Sequence, residues 1–75
     1  MLIKLKGHDD GRPVLIETSA LVFAEELEDI YRNNTTYTGL ALVIDGHRIN
    51  IRVEESCAEI LKKIDERETE SGGLL

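Results

Sequence analysis

The chain has no tryptophan and only one cysteine, one proline, one methionine and one phenylalanine in 75 residues. The lone Cys57 cannot build a disulfide framework or a thiolate metal site. No apolar run is longer than the one from Leu40 to Ile44, which is far short of the ~20 residues that a membrane-spanning helix needs. No membrane partner is expected. The opening Met1-Leu2-Ile3-Lys4-Leu5-Lys6 alternates in polarity and lacks an apolar signal region. The expected location is the cytoplasm, where the glycosylation-type triplets within Asn33-Asn34-Thr35-Thr36 carry no meaning. Cations are scarce as well: 9 Lys and Arg against 15 Asp and Glu leave a net charge of −6. A field of that sign repels phosphate backbones, which argues against sequence-independent nucleic-acid binding.

A mass of 8.4 kDa allows one small domain, expected over residues 1–67, with a flexible tail at 68–75 that includes Ser71-Gly72-Gly73. Scaling gives a folded surface of roughly 4,600 Å² against roughly 12,000 Å² for the unfolded chain. With about 60% of the buried area apolar, burial contributes on the order of 110 kcal/mol. Ordering the chain at about 1.5 kcal/mol per residue costs nearly the same. A monomer balanced so closely gains from a second subunit.

Local turn chemistry organises the rest. Asp45-Gly46 lies between alternating segments and predicts a type I′ hairpin, since both central residues of that turn need positive φ. It pairs Ile44 with His47, Leu42 with Ile49 and Leu40 with Ile51 on one face, and turns Arg48, Asn50 and Arg52 to the other. Asp10-Gly11 repeats the device. Pairing around it sets Leu5 against Ile16, Ile3 against Thr18 and Lys4 against Glu17, and Pro13 marks the second strand as an edge.

Residues 19–32 support two readings. Ala20, Phe23, Ala24, Leu27, Ile30 and Tyr31 have helical spacing, whereas Leu21, Phe23 and Glu25 alternate as in a strand. Near the end, Ser56-Cys57-Ala58-Glu59 forms a capping box. Behind it, Cys57, Ile60, Leu61 and Ile64 make an apolar stripe, so a helix is expected over about 57–67. Glu59–Lys63 and Lys62–Glu66 are i,i+4 pairs on its wet side.

Two segments carry a resemblance: Ile3-Lys4-Leu5 followed by Asp10-Gly11-Arg12-Pro13-Val14-Leu15-Ile16, and Val53-Glu54-Glu55-Ser56-Cys57-Ala58-Glu59-Ile60-Leu61 after the hairpin. Over roughly residues 2–64 the chain resembles the small FlbD-like flagellar proteins and their uncharacterised relatives. Two departures stand out: Glu17-Thr18 replaces the family's Asn-Pro, and Glu28 to Thr38 reads as an added acidic-to-polar loop. The resemblance implies a strand over 20–26 and brings no catalytic residues with it.

The residues offer little chemistry of their own. His8, Asp9, Asp10 and His47 are ligand-type residues near turns, without the spacing of a zinc site. They read as rim histidines and turn acids. Cys57 lies on the apolar stripe and reads as a small buried hydrophobe, and Ser56 as a cap. Glu54 and Glu55 are adjacent in an extended segment and point apart, unsuited to paired acid–base work. No enzyme, cofactor or metal is expected.

The fold class expected is α+β: a small twisted antiparallel sheet or partly open barrel of about five strands with one C-terminal helix. The expected function is a non-enzymatic protein-interaction or regulatory module that forms homo-oligomers, most simply a dimer through sheet edges or an exposed sheet face. The candidate interaction surface comprises the acids Glu25, Glu26, Glu28 and Asp29 together with Arg48 and Arg52. The alternative is an acidic decoy, as small phage-encoded proteins can be, that occupies a nucleic-acid or basic-protein binding site.

Overall fold

Five antiparallel strands and one helix follow the order of the turn signals in this computed structural model, which describes the backbone of residues 1–73 and the side chains of residues 1–67. Strands β1 (Leu2–Lys6) and β2 (Pro13–Glu17) form one ladder. Strands β3 (Leu21–Asp29), β4 (Thr35–Ile44) and β5 (His47–Val53) form a second, with β4 in the centre. Helix α1 spans Cys57–Gly73. A single bridge between Gly7 and Val53, extended by Glu54 N–H to Lys6 O (2.8 Å) and His8 N–H to Arg52 O (3.0 Å), ties the end of β1 to β5. The architecture is α+β, and the two sheets do not close into a barrel.

The core lies between the sheets and under the helix. Ile3, Leu5 and Ile16 from the first ladder meet Leu40, Leu42 and Val53 from the second, and Ile60 of α1 completes the cluster. Strand alternation puts Ala24, Leu40 and Ile51 on this inner face in one row.

The Asp45-Gly46 turn has both residues at positive φ (51° and 79°), and the register Ile44–His47, Leu42–Ile49, Leu40–Ile51 is the one the turn predicts. The hairpin end extends past the core, leaving Ile44 and Ile49 nearly half exposed. The first hairpin differs from expectation. Its register is Leu2–Glu17, Ile3–Ile16, Lys4–Leu15 and Leu5–Val14, two residues removed from pairing around Asp10-Gly11. The cause is a longer connection. Gly7 N–H reaches Arg12 O (2.8 Å), Gly11 N–H reaches Gly7 O (3.0 Å), and the Asp10 carboxylate accepts Arg12 N–H. Lys4 consequently faces Leu15, and Glu17 receives the Met1 amino group and the Ser19 hydroxyl.

Residues 21–29 are a strand, and the helical spacing of that stretch is overridden by pairing with β4 along its whole length. The 28–38 segment is mostly ladder: only Ile30–Arg32, a 3-10 turn, and the left-handed pair Asn33 and Asn34 (φ 54° and 55°) separate β3 from β4. The capping box forms, with Glu59 N–H on Ser56 Oγ (3.1 Å) and Ser56 N–H on Glu59 Oε1 (3.2 Å).

The helix stripe is narrower than expected. Ile60 is buried, but Leu61 is 62% exposed. Lys63 leaves the wet side to donate to Lys4 O (2.8 Å) and to approach Glu55 (3.5 Å) rather than pair with Glu59. The backbone stays helical past residue 67 to Gly73; the 68–75 tail falls on side chains and a final residue pair outside those described.

Candidate interaction surface

Helix α1 and the β1–β2 ladder both lie on the inner side of the β3–β4–β5 sheet. Among the described residues no element lies over the outer side. Register places on that side Phe23, Glu25 and Leu27 of β3, then Tyr37, Gly39, Ala41 and Val43 of β4, then Arg48, Asn50 and Arg52 of β5. The central strand is small where its neighbours are large. Gly39 and Ala41 form a low floor between a ridge of Phe23 and Leu27 and a wall of Arg48 and Arg52, and the resulting groove holds about 380 Å³. A Cβ at Gly39 would lie 3.4 Å from Leu27 Cδ1, so the Leu27 side chain already leans over the floor. Phe23 is 51% exposed and Leu27 38%.

At one end of the face His8 closes the surface. It is buried, stacks on Tyr37 (centroids 4.7 Å apart, 21° between planes) and bonds Asp29 through Nε2 at 3.0 Å. Arg32 donates to the carbonyls of His8 (3.0 Å) and Asp9 (3.2 Å), and Arg52 sits 5.6 Å over the Tyr37 ring. The hydrogen bond from His8 holds the Asp29 carboxyl below its ordinary pKa, and the Tyr31 N–H acts in the same direction. His8 is therefore no rim residue; it ties the 7–12 loop to β3 and β4. His47 is exposed at the far hairpin.

The six residues expected to form one surface are divided by strand alternation. Glu25, Arg48 and Arg52 share the outer face. Glu26 points to the other side, where its Oε1 accepts the Cys57 N–H at the start of α1 (2.9 Å), and Glu28 shares that side. Asp29 is committed to His8 and to the Tyr31 N–H. Cys57 is half-buried rather than buried. Glu54 and Glu55 lie in the bend between β5 and α1 rather than in an extended segment, and both engage Lys6: Glu54 pairs with Lys6 Nζ (3.2 Å), while both oxygens of Glu55 take the Lys6 N–H (2.9 and 3.0 Å).

Sequence reasoning overlooked Phe23, Leu27 and Tyr37 as surface residues, and Gly39 and Ala41 as a floor. The available signal was the small pair Gly39 and Ala41, two residues apart, between Tyr37 and Val43 on one face of a strand. Among the described residues, no three His, Cys, Asp or Glu converge as a metal-binding group, and no helix is long and apolar enough to cross a membrane. Comparison with family models, curated proteins and solved structures gives no match.

Proposed function

We propose that this chain is a non-enzymatic protein-interaction module of the cytoplasm that self-associates, in keeping with its resemblance to the FlbD-like proteins. The observation that carries the reading is the bare outer face of β3–β4–β5. A sheet normally covers both faces or makes one of them polar. Here the uncovered face presents Phe23 and Leu27 along a groove and Val43 beyond its end, and all three are more than a third exposed.

Sedimentation velocity over a concentration series tests self-association. The weight-average mass should climb above 8.4 kDa as concentration rises through the micromolar range. A species that stays at the monomer mass to high micromolar concentration refutes it.

A further inference from the structure

We infer that the outer β3–β4–β5 face is covered by the same face of a second copy, packed about a twofold axis that runs along β4, with Glu25 of each copy against Arg52 of the other. The inference rests on the self-association proposed above and adds the surface and its register.

The argument starts from one cross-strand row. Glu25 pairs with Gly39 and Gly39 with Arg52, so an acid on the β3 ridge and a base on the β5 wall stand level, on either side of a glycine. Rotation by half a turn about an axis along the central strand exchanges the positions of β3 and β5 and preserves the level. It therefore sets Glu25 of one copy opposite Arg52 of the other, and the symmetry supplies the contact twice. Both partners are available for it. Glu25 is exposed, and Arg52 is 55% exposed, with a loose approach to Asp9 at 3.9 Å and its guanidinium 5.6 Å over the Tyr37 ring.

The apolar residues obey the same operation. Gly39 and Ala41 face the axis as two floors without bulk, Ala41 being only 2% exposed beneath the larger side chains around it. Phe23 stands in the row of Ala41, so one Phe23 enters from each side to fill the space over the paired floors. Leu27 closes the end beside Tyr37. A face with bulk in its centre would reject its own copy; this one is low there, between the Phe23–Leu27 ridge and the Arg48–Arg52 wall. Aligned sheets pack in this way, ~10 Å apart and within about 30° of parallel. Three strands of about seven residues span roughly 14 by 23 Å. That footprint, roughly 650 Å² counted over both copies, lies below the roughly 1,200–2,000 Å² of stable complexes, so the association is weak and transient, with dissociation in the micromolar range or above.

Charge reversal tests the pairing. In Glu25→Arg, each homodimer would hold two arginine–arginine contacts, and in Arg52→Glu two glutamate–glutamate contacts. Each variant alone should dissociate on the order of a hundredfold more readily than the wild type, because like charges face each other at the interface. An equimolar mixture restores both contacts with opposite signs and should regain association within a few-fold of wild type. Both side chains are exposed, so far-ultraviolet circular dichroism of the separate variants should match the wild type, and their melting should match it at concentrations low enough that the wild type is itself monomeric. Three results would overturn the inference in different ways. Variants that associate as well as the wild type place the interface elsewhere, for example at the Leu2–Leu15 surface, and leave self-association standing. Monomeric variants that fail to recombine reject the Glu25–Arg52 contact. A wild type that is itself monomeric removes both the pairing and the reading on which it rests.

Discussion

Two adjacent glutamates give the sharpest test of how the helix is fastened to the sheets. The Glu55 side chain is only 13% exposed, and both its oxygens accept the backbone N–H of Lys6 at 2.9 and 3.0 Å while Lys63 Nζ lies 3.5 Å away. Its backbone carbonyl also takes the hydroxyl of buried Thr38. Removing the carboxylate strips the Lys6 N–H of its acceptor. A hydrogen bond to a charged group contributes about 1.5–3 kcal/mol, and the half-exposed ion pair adds at most about 1 kcal/mol. Glu55→Ala should therefore destabilise the fold by about 2–3 kcal/mol, a large share of the roughly 4–11 kcal/mol that a chain of this length possesses. The melting temperature should drop by about 8–24 °C. Glu55→Gln keeps an oxygen for the Lys6 N–H and should lose about 1 kcal/mol, because the acceptor is no longer ionised. The control lies one residue away. Glu54 is 45% exposed and meets only Lys6 Nζ at 3.2 Å, so Glu54→Ala should cost less than about 0.5 kcal/mol. Urea unfolding of the three variants at neutral pH reads the series. Equal midpoints for Glu54→Ala and Glu55→Ala would refute the reasoning.

Other variants probe separate elements. Ser56→Ala removes the acceptor of the Glu59 N–H and should cost roughly 1 kcal/mol; a midpoint unchanged in urea would remove the capping box from the energetics. Gly46→Val forces a β-branched residue to φ 79° and should sharply reduce the folded fraction, so wild-type thermal stability would mean that the turn is built otherwise. Ile60→Ala opens the core and should cost about 2–5 kcal/mol, whereas Leu61→Ala, at a 62% exposed position, should change stability by less than about 0.5 kcal/mol; comparable losses would put Leu61 back in the core. Acid unfolding addresses His8 and Asp29. The pKa of Asp29 is depressed in the folded chain, so its contribution is complete above the unfolded value of about 3.9 and disappears as pH falls through the folded value. Asp29→Asn should flatten that part of the acid limb, and an identical limb in both proteins would contradict the His8–Asp29 bond.

What could be read from sequence tracks how local its cause is. The Asp45-Gly46 turn and the Ser56–Glu59 cap each depend on residues within a few positions, and both form as expected. At Asp10-Gly11 the same dipeptide sits inside a longer loop, because Gly7 and Arg12 pair across it. The error in register was two residues, and strand side chains repeat every two, so Ile3, Leu5 and Ile16 remain in the core regardless. Residues 21–29 could not be settled locally: their apolar spacing suits a helix, and only the distant β4 makes them a strand. The width of the helix stripe also depended on tertiary packing. Leu61 has helical phase with Ile60 and Ile64, yet the opening between the two sheets admits only part of that arc.

The interaction face shows the same limit more strongly. Arg48 and Arg52 could be placed on one side of a sheet from the hairpin alone, since alternation fixes them once the turn is known. Glu25 could not be joined to them until β3 was paired with β4, a contact fixed by a ladder that runs from Leu21 against Leu42 to Asp29 against Thr35. A bulge between Leu21 and Phe23 shifts that ladder by one residue. Without the bulge, Phe23 and Glu25 would each stand one row from their present level, and neither would keep its place across from Ala41 and Gly39. The extra residue, Val22, is 62% exposed and lies outside the core cluster. Its structural effect is to set the phase of β3, turning Ala24 toward the core and Phe23, Glu25 and Leu27 toward the open face. The hydrophobic pattern of this stretch is blurred in sequence for that reason: it changes phase within the strand, and the side chains on either side of the change serve two different surfaces.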